Sequence, residues 1–183
     1  MRLGFNQVKG LSAAAANAVV AARGVQPFAS TAAFAARCGL SSADYGALAA
    51  ADALRDIAGN RYRARWQVAG LEAPPPLFTE LHFSEGEPLL HKPTALGTVI
   101  EDYASVGVSL REHPIALVRP ALGARCLRAA DLWGQEDGAR VYTAGLVITR
   151  QRPGSANNVT FVTLEDETGF INLIVWEALA ERE

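Results

Sequence analysis

Five residues near the start of the chain, Val8-Lys9-Gly10-Leu11-Ser12, have the types and order that a phosphate-holding turn needs. Glycine lets the backbone adopt a left-handed conformation and come close to a ligand. Serine before an alanine-rich run caps a helix. The start of such a helix turns backbone N–H groups and the positive end of its dipole toward an anion. A helical corner that Ser12 merely caps accounts for the same residues, so both readings stand at this point. Other chemistry is poorly served. Cys38 and Cys126 lie far apart without CxxC spacing, and His82, His91 and His113 form no HxxxH or HExxH pattern, so neither a disulfide nor a metal site is expected. His113 has no nucleophile or placed acid beside it and, followed by Pro114, is expected to cap and pack rather than to catalyse. Glu101 and Asp102 are adjacent on an expected helix and do not face each other. Asp166 and Glu167 fall in an expected turn, so neither pair makes a two-metal site.

The elements that must hold the first turn read as short helices. Ser12 caps a helix over 13–23 that Gly24 stops, Ser30 caps one ending at Gly39, and Ser41 with Asp44 opens a third to about residue 50. After Ala51 and Asp52 a further helix reaches Trp66. Val8 to Ser12, with Ala16 and Val19, matches the spacing of a helix-hairpin-helix, although Lys9 and Ser12 stand where proline and a second glycine are usual. A second hairpin around Ala51-Asp52-Ala53 lacks glycine and is expected to be a structural pseudo-repeat. Residues 1–70 hold eight Lys/Arg against three acids, and the remainder is net acidic. A basic first third suits phosphate contact through Lys9, Gly10, Leu11, Ser12, Arg23, Arg61 and Arg63, while arginine for solubility explains the same composition.

Residues 73–93 form a proline-rich linker that includes Pro74-Pro75-Pro76. A helical connector over 94–136 follows. Its first helix runs from Thr94 to about Gly107, with Val99, Ile100, Tyr103 and Val106 on one face. Alternating residues predict three strands, over 142–151, 159–165 and 170–176, with the Asp166-Glu167-Thr168-Gly169 tetrad as a tight turn. Such a meander opens an OB-fold, here over 137–183 and lacking two closing strands. Its nucleic-acid candidates are Arg150, Arg152, Asn157 and Phe161. Among Tyr142, Phe161, Phe170 and Trp176 about half or more are expected to point inward. The third strand is left with an open edge, expected to pair with another copy or fray rather than to be covered by helices. The fold class is therefore α+β, with an all-α tandem helix-hairpin-helix domain over 1–72 and an incomplete β-barrel at the end.

Several blocks then support a resemblance: GF-x-x-VKGL near the start, AADAL at 50–54, VGVSLREHPIALVRP at 106–120, AGLVITRQRPG, and FVTLEDETGFINLIVW. Together, in this order, they resemble the C-terminal region of the error-prone, DnaE-type (C-family) bacterial DNA polymerase III alpha subunit. The resemblance implies a tandem helix-hairpin-helix domain that grips duplex DNA and an OB-fold behind it, with single strand a further ligand for the latter. It implies DNA replication, DNA repair and the DNA damage response, with translesion synthesis by a nucleotidyltransferase, and mutasome or replication proteins as partners. It also implies that the catalytic palm and its magnesium lie outside this chain, which is expected to carry no catalytic residue, metal or cofactor and to be a piece of a longer protein.

The 183 residues are 50% hydrophobic and 20% charged, which suits a globular chain with one or two modest cores. No apolar run approaches the ~18 residues of a membrane span, and no leader pattern opens the chain, so a cytoplasmic protein without membrane contact is expected. Two alternatives stay open: an interaction module that docks a polymerase onto mutasome partners, and an OB-type RNA binder similar to the anticodon domain of a class II synthetase.

Overall fold

Serine side chains start three of the helices in the first part of the chain. Ser12, Ser30 and Ser41 each accept, at 3.1 Å, the N–H three residues on, from Ala15, Ala33 and Asp44. They open α1 (Ala13–Val25), α2 (Thr31–Cys38) and α3 (Ser42–Ala50), as their spacing predicts. The computed structural model describes residues 3–71, 89–154 and 158–180, and falls into two units, Met1–Leu110 and Arg111–Glu183. Pro74-Pro75-Pro76 and most of the expected linker lie outside the described residues.

In the first unit Gly39 takes the left-handed position that ends α2, with φ 56°. Gly24 does not do the same for α1, contrary to expectation. The helix runs on to Val25, and the Arg37 guanidinium satisfies its terminal carbonyls instead, donating to Ala22, Gln26 and Pro27. A second expectation also changes. No single helix reaches Trp66, because Gly59 at φ 86° breaks the chain between α4 (Arg55–Ala58) and α5 (Arg61–Ala69). Asn60 then caps α5, its Oδ1 accepting the N–H groups of Tyr62 and Arg63 at 3.0 Å. The core joins Val19, Phe34, Tyr45, Leu48, Ala49, Leu54, Ala58 and Ala64. Phe34 meets Phe28 and Tyr45 edge to face, the favoured aromatic arrangement.

Helix α6 (Ala95–Val106) starts at Thr94 and ends at a left-handed Gly107, as predicted. Its buried face differs from the predicted one: Thr98, Val99 and Asp102 are buried, whereas Ile100 and Tyr103 are exposed. The polar members of that stripe face the arginine helix α5, with Arg61 donating to the Thr98 carbonyl and the Asp102 carboxylate. Through these contacts the first unit continues to Leu110, within the stretch expected to be a connector.

The second unit opens with α7 (Pro114–Leu122), where Pro114 is the first helical residue and His113 Nδ1 accepts the Ile115 N–H, a capping role as expected. Then come β1 (Cys126–Leu127), α8 (Ala129–Leu132), β2 (Tyr142–Thr143), β3 (Leu146–Gln151), β4 (Thr160–Asp166), β5 (Gly169–Val175) and α9 (Glu177–Ala180). β3, β4 and β5 form an antiparallel meander, with Asp166 opposite Gly169 across the predicted tight turn. The strand expected over 142–151 is two strands. β2 pairs in parallel with β1, and only β3 joins the meander. Gly145 sits at the break, where a Cβ would lie 2.8 Å from both the Glu165 carbonyl oxygen and the Leu164 Cβ. Gly145→Ala is therefore expected to cost about 2 kcal/mol through overpacking against backbone. Urea unfolding of the variant, followed by Trp fluorescence, checks this; an unshifted midpoint would show that the strands have room to part.

Among the described residues no strand pairs with the outer edge of β5, and α8 meets β5 at its Gly169 end. None of the helices described is long and apolar enough to cross a membrane.

Candidate nucleic-acid interface

The first turn is built from a short 3-10 segment, Phe5–Gln7, followed by Val8 to Ser12 and then α1. Gly10 stands at φ 80° with open space around it, the conformation that favours glycine at this point. Leu11 is the inward anchor of the turn and packs against the core, so its side chain is not available to a ligand as the sequence suggested. Ser12 is spent twice: its Oγ caps α1, and its N–H donates to Asp44 Oδ1 at 2.9 Å. The other Asp44 oxygen accepts the Ser41 hydroxyl at 2.6 Å. The hydrogen bonds from the Ser41 side chain and the Ser12 backbone hold the Asp44 carboxyl below its ordinary range, so an ionised acid already occupies one N–H of the turn. The N–H groups of Gly10, Ala13 and Ala14 have no partner among the described residues and remain for an anion.

Lys9 is exposed, and its side chain folds back onto the end of α6. Its backbone N–H donates to the Ser105 carbonyl at 2.9 Å and its Nζ to the Tyr103 carbonyl at 3.1 Å, both at the C-terminal end of α6. Arg61 is the plainest correction: at 2% exposure it is ion-paired with Asp102 and cannot reach a phosphate. Arg65 pairs with Glu101, whose carboxyl is held low chiefly by that hydrogen bond. Two of the eight basic residues of 1–70 are thus absorbed inside the unit, α5 arginines meeting α6 acids. Arg23 is exposed in the last turn of α1, its guanidinium 6.0 Å from the Phe5 ring centroid. It lies about 16 Å along the helix from Ser12, eleven residues at 1.5 Å each. Arg63 is half-buried on α5.

Asp44 escaped the sequence reading as a partner of the turn, although a signal existed. Gly-Leu-Ser occurs at 10–12 and again at 39–41, each with a left-handed glycine, a core-facing leucine and a capping serine. At the second hairpin Asp52 takes the left-handed conformation, φ 56°, that glycine takes in the first. Aspartate tolerates it better than most residues.

In the second unit Arg150 lies opposite Val162, and Phe161 lies opposite Gln151 and Ile174. Neighbours across a sheet share a face and successive residues alternate, so Arg150 and Phe161 are on opposite faces and do not make one site. Arg152 is 3.5 Å from Glu177, and Asn157 lies outside the described residues. About half or more of the four aromatics were expected to point inward, but all are exposed, Tyr142 at 71%, Phe161 at 41%, Phe170 at 62% and Trp176 at 65%. Phe161, Phe170 and Ile174 share one face of the meander and are all exposed, so alternation does not enclose it. The acids noted in the sequence are spent on arginine: Arg119, which the sequence reading missed, holds Glu167 through two hydrogen bonds of 2.8 and 2.9 Å and Asp166 through one of 3.2 Å.

Comparison with known proteins agrees with the hairpin geometry. Residues 1–64 match the family model described as a helix-hairpin-helix motif. All of the chain aligns with the error-prone DNA polymerase of Methylococcus capsulatus at 51% identity, with that of Alkalilimnicola ehrlichii at 50%, and with that of Pseudomonas syringae pv. tomato at 45%. In each case the chain spans 18% of the relative's length.

Proposed function

We infer, from a chain that resembles one segment of the error-prone DNA polymerases along its whole length, that it is a DNA-binding part of such a polymerase. The observation that carries this reading is the helix-hairpin-helix match over residues 1–64, where a left-handed Gly10 leads into a serine-capped helix with unpaired N–H groups at its start. The first unit grips template-primer duplex through backbone phosphates, with Arg23 and Arg63 as the cations nearest to that task. The meander of the second unit is the opening of an OB-fold. The parent enzyme works in translesion synthesis during damage-induced mutagenesis, and its palm and magnesium chemistry lie outside this chain, so the chain alone extends no primer.

Fluorescence anisotropy with a labelled duplex tests the reading. Binding should weaken as salt rises, and Arg23→Ala and Arg63→Ala should each reduce the log–log salt slope by about one without altering sequence preference. Primer extension with magnesium or manganese should be absent. Unchanged slopes in both variants favour a second reading, a module that docks a polymerase onto protein partners. That reading draws support from the exposed apolar face of Phe161, Phe170 and Ile174.

A further inference from the structure

We propose that Lys9 is a positioning residue: it sets the pose of the first hairpin by gripping the C-terminal end of α6, not by meeting a phosphate. The proposal rests on duplex binding by the first unit. The last carbonyls of a helix have no intrahelical partner and carry the negative end of its dipole, so an ammonium group placed there is both hydrogen-bonded and electrostatically favoured. Lys9 makes this contact twice, through Nζ on the Tyr103 oxygen and through its backbone N–H on the Ser105 oxygen. The Tyr103 oxygen also accepts the Gly107 N–H at 3.2 Å, so the helix end and the lysine share one acceptor.

These contacts reach across the unit. α6 is anchored to α5 by Arg61 with Asp102 and by Arg65 with Glu101. On its far side the turn is held by Asp44 on the Ser12 N–H. Gly10 therefore sits between two fixed points, exposed and with its N–H unpaired. A turn fixed in this way presents its N–H groups without an ordering cost on binding. The Nζ–Tyr103 bond directs the Lys9 side chain toward the end of α6.

Direct and indirect roles separate in the salt dependence of binding, because only a cation that neutralises a phosphate contributes to the slope. Anisotropy with a short fluorescein-labelled duplex is measured over a salt series for the full chain, for Lys9→Met and for Gly107→Ala, which strains the left-handed end of α6 without touching charge. Lys9→Met is expected to weaken binding by about tenfold with the slope unchanged. Gly107→Ala should do the same, and the double variant should be no weaker than either single one, since both act through one contact. Lys9→Arg, which can still donate to the Tyr103 carbonyl, should restore affinity. Far-ultraviolet circular dichroism confirms that each variant is folded at the assay temperature. A slope lowered by about one in Lys9→Met overturns the proposal in favour of a direct phosphate contact. Unchanged affinity in Lys9→Met, or additive losses in the double variant, overturns it as well. A parent chain that binds duplex without salt dependence overturns the DNA-binding reading itself, and the proposal with it.

Discussion

Asp166→Ala is expected to lower the unfolding midpoint of the second unit by about 12 °C or more, the largest effect of any single substitution there. The Asp166 side chain is fully buried, and both its oxygens are in use. Oδ1 accepts the Thr168 N–H at 2.7 Å, the Thr168 hydroxyl at 2.8 Å and the Gly169 N–H at 3.1 Å. Oδ2 accepts the Ala129 N–H at 2.7 Å and Arg119 at 3.2 Å. One carboxylate thus closes the β4–β5 turn, starts α8 and ties in α7. Alanine leaves buried donors without an acceptor, and removing one partner of a buried charged network costs roughly 3 kcal/mol or more.

The same group gives the unit an acid limit. Burial raises the Asp166 carboxyl, but the hydrogen bonds from Ala129, Thr168 and Gly169 outweigh it and hold the group below its ordinary value of 3.8. Glu167 is held below its ordinary 4.5 chiefly by the Arg119 hydrogen bond. A carboxyl depressed in the folded state binds fewer protons there than in the unfolded chain, so its stabilisation is complete above the ordinary value and is lost as pH falls through the folded one. The midpoint of the parent chain should hold steady down to about pH 5 and then decline, and Asp166→Ala should flatten that decline. Thermal melts between neutral and acid pH, read at the tryptophans of the unit, decide the matter. An Asp166→Ala midpoint within a degree or two of the parent's would remove the network from the account of this fold.

Arg61→Met is expected to destabilise the first unit by about 3 to 5 kcal/mol, although an arginine on a helix of a basic region reads as a surface contact. The guanidinium is buried against Asp102 and the Thr98 carbonyl, and Asp102 in turn accepts the Ser109 hydroxyl at 2.7 Å. Methionine takes the guanidinium away from the Asp102 carboxylate in a site where it has little water. Replacing both partners removes the buried carboxylate as well, so Arg61→Met with Asp102→Leu should recover most of the loss. Urea denaturation of the two variants gives the comparison. A double variant as unstable as the single one would show that the loss comes from packing and not from the broken ion pair. The salt slope of duplex binding should be the same in the parent and in the double variant, because Arg61 does not reach solvent.

Local rules were legible in the sequence wherever a residue acts on its near neighbours. The three serine caps, Thr94, Gly39, Gly107, Pro114 and the Asp166–Gly169 turn all stand where residue type and spacing place them, since capping and turn geometry are settled within a few residues. The left-handed turn at Gly10, with Ser12 capping the helix behind it, was legible for the same reason. What the residues do at long range was not. Eight basic residues in the first seventy could not say which of them meet Glu101 and Asp102, because that choice depends on how α6 lies along α5. The alternation of Phe161, Phe170 and Ile174 defined a face, but whether anything covers a face depends on what packs over it. Arg119 and the turn acids sit almost fifty residues apart in the chain, and only the packing of α7 beside β4 makes them one site. Sequence by itself determined the serine caps, most of the helices, the β-meander and the left-handed turn at Gly10, through contacts a few residues long. Tertiary structure alone decided which cations are buried in ion pairs, because a buried charge takes whichever opposite charge the packing brings within reach.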